Sequence, residues 1–146
     1  MQVYYTTPDE TGNFKGVQKS LGGYVSNKRL PKNSDNALFS DIYIDCKTTS
    51  QAFYKCLYVE SDKPATFSGY SDNEKFAITL CKGEVFEDKD VIYTTNISDD
   101  TEEPWIDGEF GQSLVIDAFP AFIWVRLEAE IGEPVENIPV GFKILQ

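Results

Sequence analysis

The stretch AFIWVRLEAEI, Ala121 to Ile131, constrains this chain more than any other part of it. Ala121, Ile123, Val125, Leu127, Ala129 and Ile131 fall on one side of an extended backbone, and Phe122, Trp124, Arg126, Glu128 and Glu130 fall on the other. A repeat of two is the geometry of a strand, because successive side chains point to opposite faces of a sheet. The stretch therefore predicts a strand with one core face and one wet face.

The same period recurs elsewhere. In KFAITL, Phe76, Ile78 and Leu80 alternate with Lys75, Ala77 and Thr79, and in VGFKIL, Val140, Phe142 and Ile144 alternate with Gly141, Lys143 and Leu145. AFYKCLYVE is apolar on both faces, with Phe53, Leu57 and Val59 opposing Tyr54, Cys56 and Tyr58, as expected of a central strand covered from both sides. DVIYTT and SLVID supply two further candidates. Pro120 and Pro139 stand just before AFIWV and VGFKIL, where proline suits the first residue of a strand. Between these runs lie turn-rich segments, and no amphipathic stretch of helical period appears. The expectation is an all-β chain, an antiparallel immunoglobulin-like β-sandwich.

The 146 residues suffice for one hydrophobic core, and an aromatic content of 14% is too rich for a disordered chain. A net charge of −11 repels phosphate backbones and anionic lipid surfaces, which argues against nucleic-acid and membrane partners. Neither a signal peptide nor an apolar run of membrane-spanning length is recognised. Cys46, Cys56 and Cys81 show no close pairing, so reduced, mostly buried thiols are expected, with a Cys46–Cys56 bridge left open.

The sequence holds no histidine, which removes Ser-His and Cys-His nucleophilic sites and His-ligated metal centres. A glycosidase-like carboxylate pair can be nominated from Asp117 with Glu128 or Glu130, but the alternation of a strand with a solvent face already accounts for both glutamates. The acidic loop from Asp99 to Glu109 offers oxygen ligands for a calcium ion, yet it lacks the order of a calcium-binding loop and reads as a solvated connection. No catalytic residue, cofactor or metal is expected. Tyr4, Tyr5, Tyr24, Tyr43, Tyr70 and Trp105 lie in polar-flanked segments, where they either cap the sandwich or stack on sugars or protein partners.

The first forty residues read differently. SLGGYVSNKRLPKNSDNALFSDI, Ser20 to Ile42, places Leu21, Tyr24, Leu30, Leu38 and Phe39 at intervals too irregular for a helix or strand, among paired glycines and a proline. Together with FYKCLYVE and the late FIWVRL, Phe122 to Leu127, this segment resembles a group of tailed-bacteriophage virion structural proteins, including those of crAss-like and related phages. The residues that carry the resemblance are Ser20 to Gly23, Pro31, Asn36 to Asp41 and Tyr54 to Cys56. Ser40 departs from the more usual acidic residue, and Asp62 to Gly111 has no counterpart in the group.

The resemblance implies a non-enzymatic, multicopy virion protein of the capsid auxiliary or decoration type, made in the host cytoplasm. Its partners would be the major capsid protein or neighbouring copies. A tail, neck or fibre-attachment component is the alternative within that class, and a carbohydrate-binding module is the alternative outside it. On this reading Met1 to Ile42 form an extended N-terminal arm and Tyr43 to Gln146 the sandwich. Leu21, Tyr24, Leu30, Leu38 and Phe39 would enter pockets on an adjacent chain, with Gly22 and Gly23 permitting the bends. The same segment could instead wrap its own sandwich. Without Met1 to Gly23, the arm reading expects a folded domain that no longer joins particles.

Overall fold

A computed structural model describes residues 1–16, 20–30, 38–39, 43–44, 51–71, 75–83, 106, 108–130, 135–136 and 140–146. Ten strands follow one another along the chain and no helix occurs among these residues: β1 Gln2–Thr7, β2 Tyr24–Arg29, β3 Tyr43–Ile44, β4 Gln51–Glu60, β5 Ala65–Ser71, β6 Phe76–Gly83, β7 Ser113–Ile116, β8 Ala121–Ala129, β9 Val135–Glu136 and β10 Val140–Leu145. All pairings are antiparallel. One sheet has five strands in the order β2-β1-β4-β8-β6, a second has three in the order β10-β5-β7, and β3 pairs with β9.

The AFYKCLYVE run is the middle strand of the larger sheet, as its two apolar faces require. Its inward residues Phe53, Leu57 and Val59 join Ile78 and Leu80 from β6 and Ile123, Val125 and Leu127 from β8. Phe67, Ile116, Val140 and Phe142 of the smaller sheet meet them across the interior, so the two sheets share one core. Burying each such side chain is worth about 1.5–3 kcal/mol, which makes this interior the main stabilising element.

The alternation in KFAITL holds, with Phe76, Ile78 and Leu80 buried. In VGFKIL, Val140 and Phe142 are buried while Ile144 is exposed. β8 differs from expectation on its other face. Phe122 and Trp124 are buried, and only the end from Arg126 onward meets solvent, because a second apolar cluster covers this face. Leu21 approaches it from one side, and Ile106 and Phe110 pack against it from the other. DVIYTT, Pro139, Cys46, Tyr43's side chain and Trp105 lie outside the residues whose structure is described.

The expected extended arm is not shown. Over its described residues the segment Met1–Ile42 forms β1 and β2, which complete the larger sheet. Val3 and Tyr5 on β1 point into the shared core, so these residues of the front segment are buried against their own chain.

The sheets also touch at one side. Leu80 exchanges both backbone hydrogen bonds with Gly111, at 2.8 and 2.9 Å, which joins the edge of β6 to the approach of β7. There β5 crosses so near β6 that a Cβ on Gly69 would overlap the backbone carbonyl of Ile78. Backbone atoms cannot swing aside as a flexible side chain can. Replacing Gly69 by Ala is expected to cost about 1–3 kcal/mol, the usual penalty of overpacking. Urea unfolding would show this as a lower midpoint with an unchanged slope; an unaltered midpoint would contradict the close crossing.

Candidate partner-binding surface

Ser20 to Gly23 do not reach outward. The β1–β4 ladder runs from Gln2 opposite Glu60 to Tyr5 opposite Leu57, and at the next position Ser20 is interposed. The Cys56 N–H donates to the Ser20 carbonyl at 2.7 Å, while the Thr6 hydroxyl donates to the Cys56 carbonyl at 2.8 Å. The Ser20 hydroxyl accepts from the Thr6 N–H at 3.0 Å and donates to the Thr6 carbonyl at 3.1 Å. One side-chain oxygen thus does for Thr6 what a peptide group would have done. The Gly22 N–H closes the set on the Thr6 hydroxyl at 3.0 Å.

Thr6 and Ser20 are fully buried, so each of these bonds answers a group that would otherwise be orphaned out of water. Gly22 and Gly23 have φ of +96° and +95°, a region that favours glycine, and they turn the chain from this junction into β2. The junction places Leu21 in the outer cluster with Cys56 and Trp124.

The other residues expected to hold a partner are placed as follows. Tyr24 opens β2 opposite Thr7 and is half-buried. Leu30 is half-buried against the inner core, its N–H donating to the Val3 carbonyl at 2.7 Å. Leu38 and Phe39 are completely buried between the sheets. Leu21, Leu38 and Phe39 therefore spend their apolar surface inside their own chain. The structure brings Ser20–Gly23 together with Cys56 and Trp124, residues that the sequence separates widely.

Sequence reasoning passed over Lys55. It is fully buried on the inner face of β4, opposite Val125. Its place inside an otherwise apolar run hid it. Cys56 and Cys81 are free and buried on either side of Trp124, both in register with it, and burial pushes the Cys56 thiol far up. Such thiols are inert packing groups.

The nominated carboxylates are exposed. Glu128 pairs with Arg126 at 2.8 Å, and the Arg126 guanidinium lies 4.2 Å from the Phe110 ring centroid with its Nε donating to Thr79 at 3.1 Å. These contacts clamp the 108–111 segment to the sheet. Glu130 and Asp117 stand in solvent. Of the acidic loop, Glu109 is described and is exposed, and no group of three or more metal-ligating side chains occurs among the described residues.

Two surface features remain. On the outer face of the smaller sheet, Leu145, Thr66 and Val115 lie opposite one another on β10, β5 and β7, with Val115 67% and Leu145 74% exposed. Lys143 covers the Tyr70 ring on the same face at 4.6 Å. On the outer face of the larger sheet, one row runs through Arg29, Tyr4, Tyr58 and Phe122 across four adjacent strands. Burial, and then the Glu60 carboxylate beside it, hold the Tyr58 hydroxyl's pKa above its ordinary value.

Comparison with protein-family models, with curated proteins and with solved structures finds no match.

Two predictions follow from the front segment. Leu21→Ala empties a filled position and is expected to cost about 2–5 kcal/mol in chemical denaturation. Removing Met1–Gly23 deletes β1 and the Ser20 junction, so it should abolish cooperative unfolding; a soluble, cooperatively folding remainder would show that the body stands without them. The hairpin between β1 and β2 has a separate signature. The Thr11 hydroxyl and N–H, with Lys15 3.2 Å away, lower the Asp9 carboxyl to about 2 from 3.8. Because the folded value is depressed, this contribution is present above the unfolded pKa and is lost as pH falls toward 2. An NMR titration of Asp9 that gave an ordinary carboxylate value would contradict the turn geometry.

Proposed function

We propose that this chain is a non-enzymatic structural protein of a tailed-bacteriophage particle, a capsid auxiliary or decoration protein with an immunoglobulin-like body, present in many copies on the virion. The observation that supports it is the convergence of the residues on which the sequence resemblance rests. Ser20 to Gly23 are stitched to Cys56, Leu21 joins the cluster of Tyr54, Cys56 and Trp124, and Leu38 and Phe39 enter the inner core. Motif residues from three distant segments, Ser20–Gly23, Tyr54–Cys56 and Trp124, meet on the outer face of the larger sheet, while Leu38 and Phe39 join the core on its other face.

The absence of histidine and the exposure of Asp117, Glu128 and Glu130 favour work by surface contact. With the apolar anchors of the front segment occupied internally, the hold on the particle falls to exposed faces. The Leu145–Thr66–Val115 row is the most apolar of these, and it suits the major capsid protein or a neighbouring copy. A tail, neck or fibre-attachment position uses the same contacts on a different part of the virion. The chain would be made in the host cytoplasm and end on the particle.

The test is an image of the purified particle in which this chain is located, paired with a surface variant. Val115→Glu with Leu145→Glu is expected to leave the thermal midpoint close to that of the parent and to reduce occupancy on particles severalfold. Absence of the chain from intact particles would overturn the proposal. Undiminished occupancy of the variant would move the contact to another face.

A further inference from the structure

The row on the larger sheet has a chemistry that particle attachment does not require. Tyr4 and Tyr58 are adjacent on β1 and β4 with ring centroids 6.1 Å apart, and Phe122 on β8 stands 5.3 Å beyond Tyr58. Phe122 is buried, whereas Tyr4 and Tyr58 are half-buried. Their hydroxyls are held, Tyr4 donating to the Gln2 amide oxygen at 2.7 Å and Tyr58 to a Glu60 carboxylate oxygen at 3.3 Å. The Arg29 guanidinium lies 5.8 Å from the Tyr4 centroid. Two rings fixed in orientation are thus bordered by an amide, a carboxylate and a guanidinium, all on exposed residues.

We propose that Tyr4 and Tyr58, with Gln2, Arg29 and Glu60 at their rim, form a binding site for an extended neutral glycan. A pyranose ring presents an apolar C–H face that stacks on an aromatic face, and its hydroxyls need both donors and acceptors at the edge of that stack. The row supplies both. Rings already pinned by hydroxyl partners lose little freedom when a ligand lands, which favours binding to so small a surface. Charge sets the class of sugar: a net −11 on the chain and Glu60 beside the rings repel phosphorylated, sulfated or uronic-acid polymers. A proline-rich peptide also stacks on aromatic side chains, but it prefers a groove, and these rings lie on the face of a sheet. The site stands apart from the Val115–Leu145 face and does not depend on the particle role.

The experiment is affinity electrophoresis of the full chain through native gels containing hydroxyethyl cellulose, pullulan or galactomannan, with decaproline as a competitor. Retardation by one of the three polymers is expected, with NMR shifts of the Tyr4 and Tyr58 ring signals and none at Tyr70. Tyr58→Ala should weaken retention at least about ten-fold, as the loss of an aromatic stack does, and Tyr58→Phe should keep most of it. Since Tyr58→Ala could also loosen the sheet, Gln2→Ala and Glu60→Gln serve as surface variants. Each should weaken retention severalfold with no change in thermal midpoint. No retardation by any of the polymers, retention unchanged in Tyr58→Ala and in both surface variants, or displacement of the ring signals by decaproline alone would overturn the proposal.

Discussion

The contact between Thr6, Ser20 and Cys56 is the one on which the larger sheet depends. A sheet ladder interrupted at a buried position leaves backbone groups without partners, and each such group costs about 1–3 kcal/mol. Here the interruption is repaired by two hydroxyls that donate and accept at once, and the repair fixes where β1 leaves β4 and where β2 begins. It also delivers Leu21 onto the outer face, where it joins the cluster in which Phe122 and Trp124 are buried.

That double burial has a functional side. The middle strands β4 and β8 are covered inward by the smaller sheet and outward by Leu21, Ile106 and Phe110, leaving little of them for a partner to touch. Among the described residues, two accessible faces lie at the periphery: the outside of the smaller sheet, and the Tyr4–Tyr58 strip beside the outer cluster. The first mixes Val115 and Leu145 with Thr66, Ser68, Ser113 and Lys143, and the second is aromatic with a charged rim. The two surfaces differ in chemistry and lie on different sheets, so occupation of one leaves the other open.

The parts of the fold legible in the sequence were those decided within a few residues. Phe76, Ile78 and Leu80 announce β6 because a strand's period needs no knowledge of its neighbours, and the two-sided apolarity of Phe53–Val59 announces a middle strand. The front segment was not legible in that way. Ser20 looks like a turn residue, and its hydroxyl finds Thr6 fourteen positions away and Cys56 thirty-six away, which no local pattern encodes. The same holds for Phe122 and Trp124. Alternation with Arg126 and Glu128 reads as a wet face, and only the arrival of distant apolar side chains makes it dry. Leu38 and Phe39 were recognisable as anchors, but whose surface they would enter depended on the whole topology. The tyrosine strip became visible only once the registers of β1, β4 and β8 lined up residues from separate segments.

The clamp on residues 108–111 carries an evolutionary consequence. β6 ends at Gly83, and the returning chain is already pressed against Cys81 at Gly108, so close that a Cβ there would collide with the sulfur. Fixed flanks this close set the two points between which any change of chain length must close, and in a flexible loop each doubling of length costs only about 0.6 kcal/mol. Residues 84–107, with nine acidic side chains and one lysine, carry most of the molecule's net negative charge. The molecule's net charge is thereby open to change in one stretch of sequence whose flanks, Cys81 and Gly108, are held in contact.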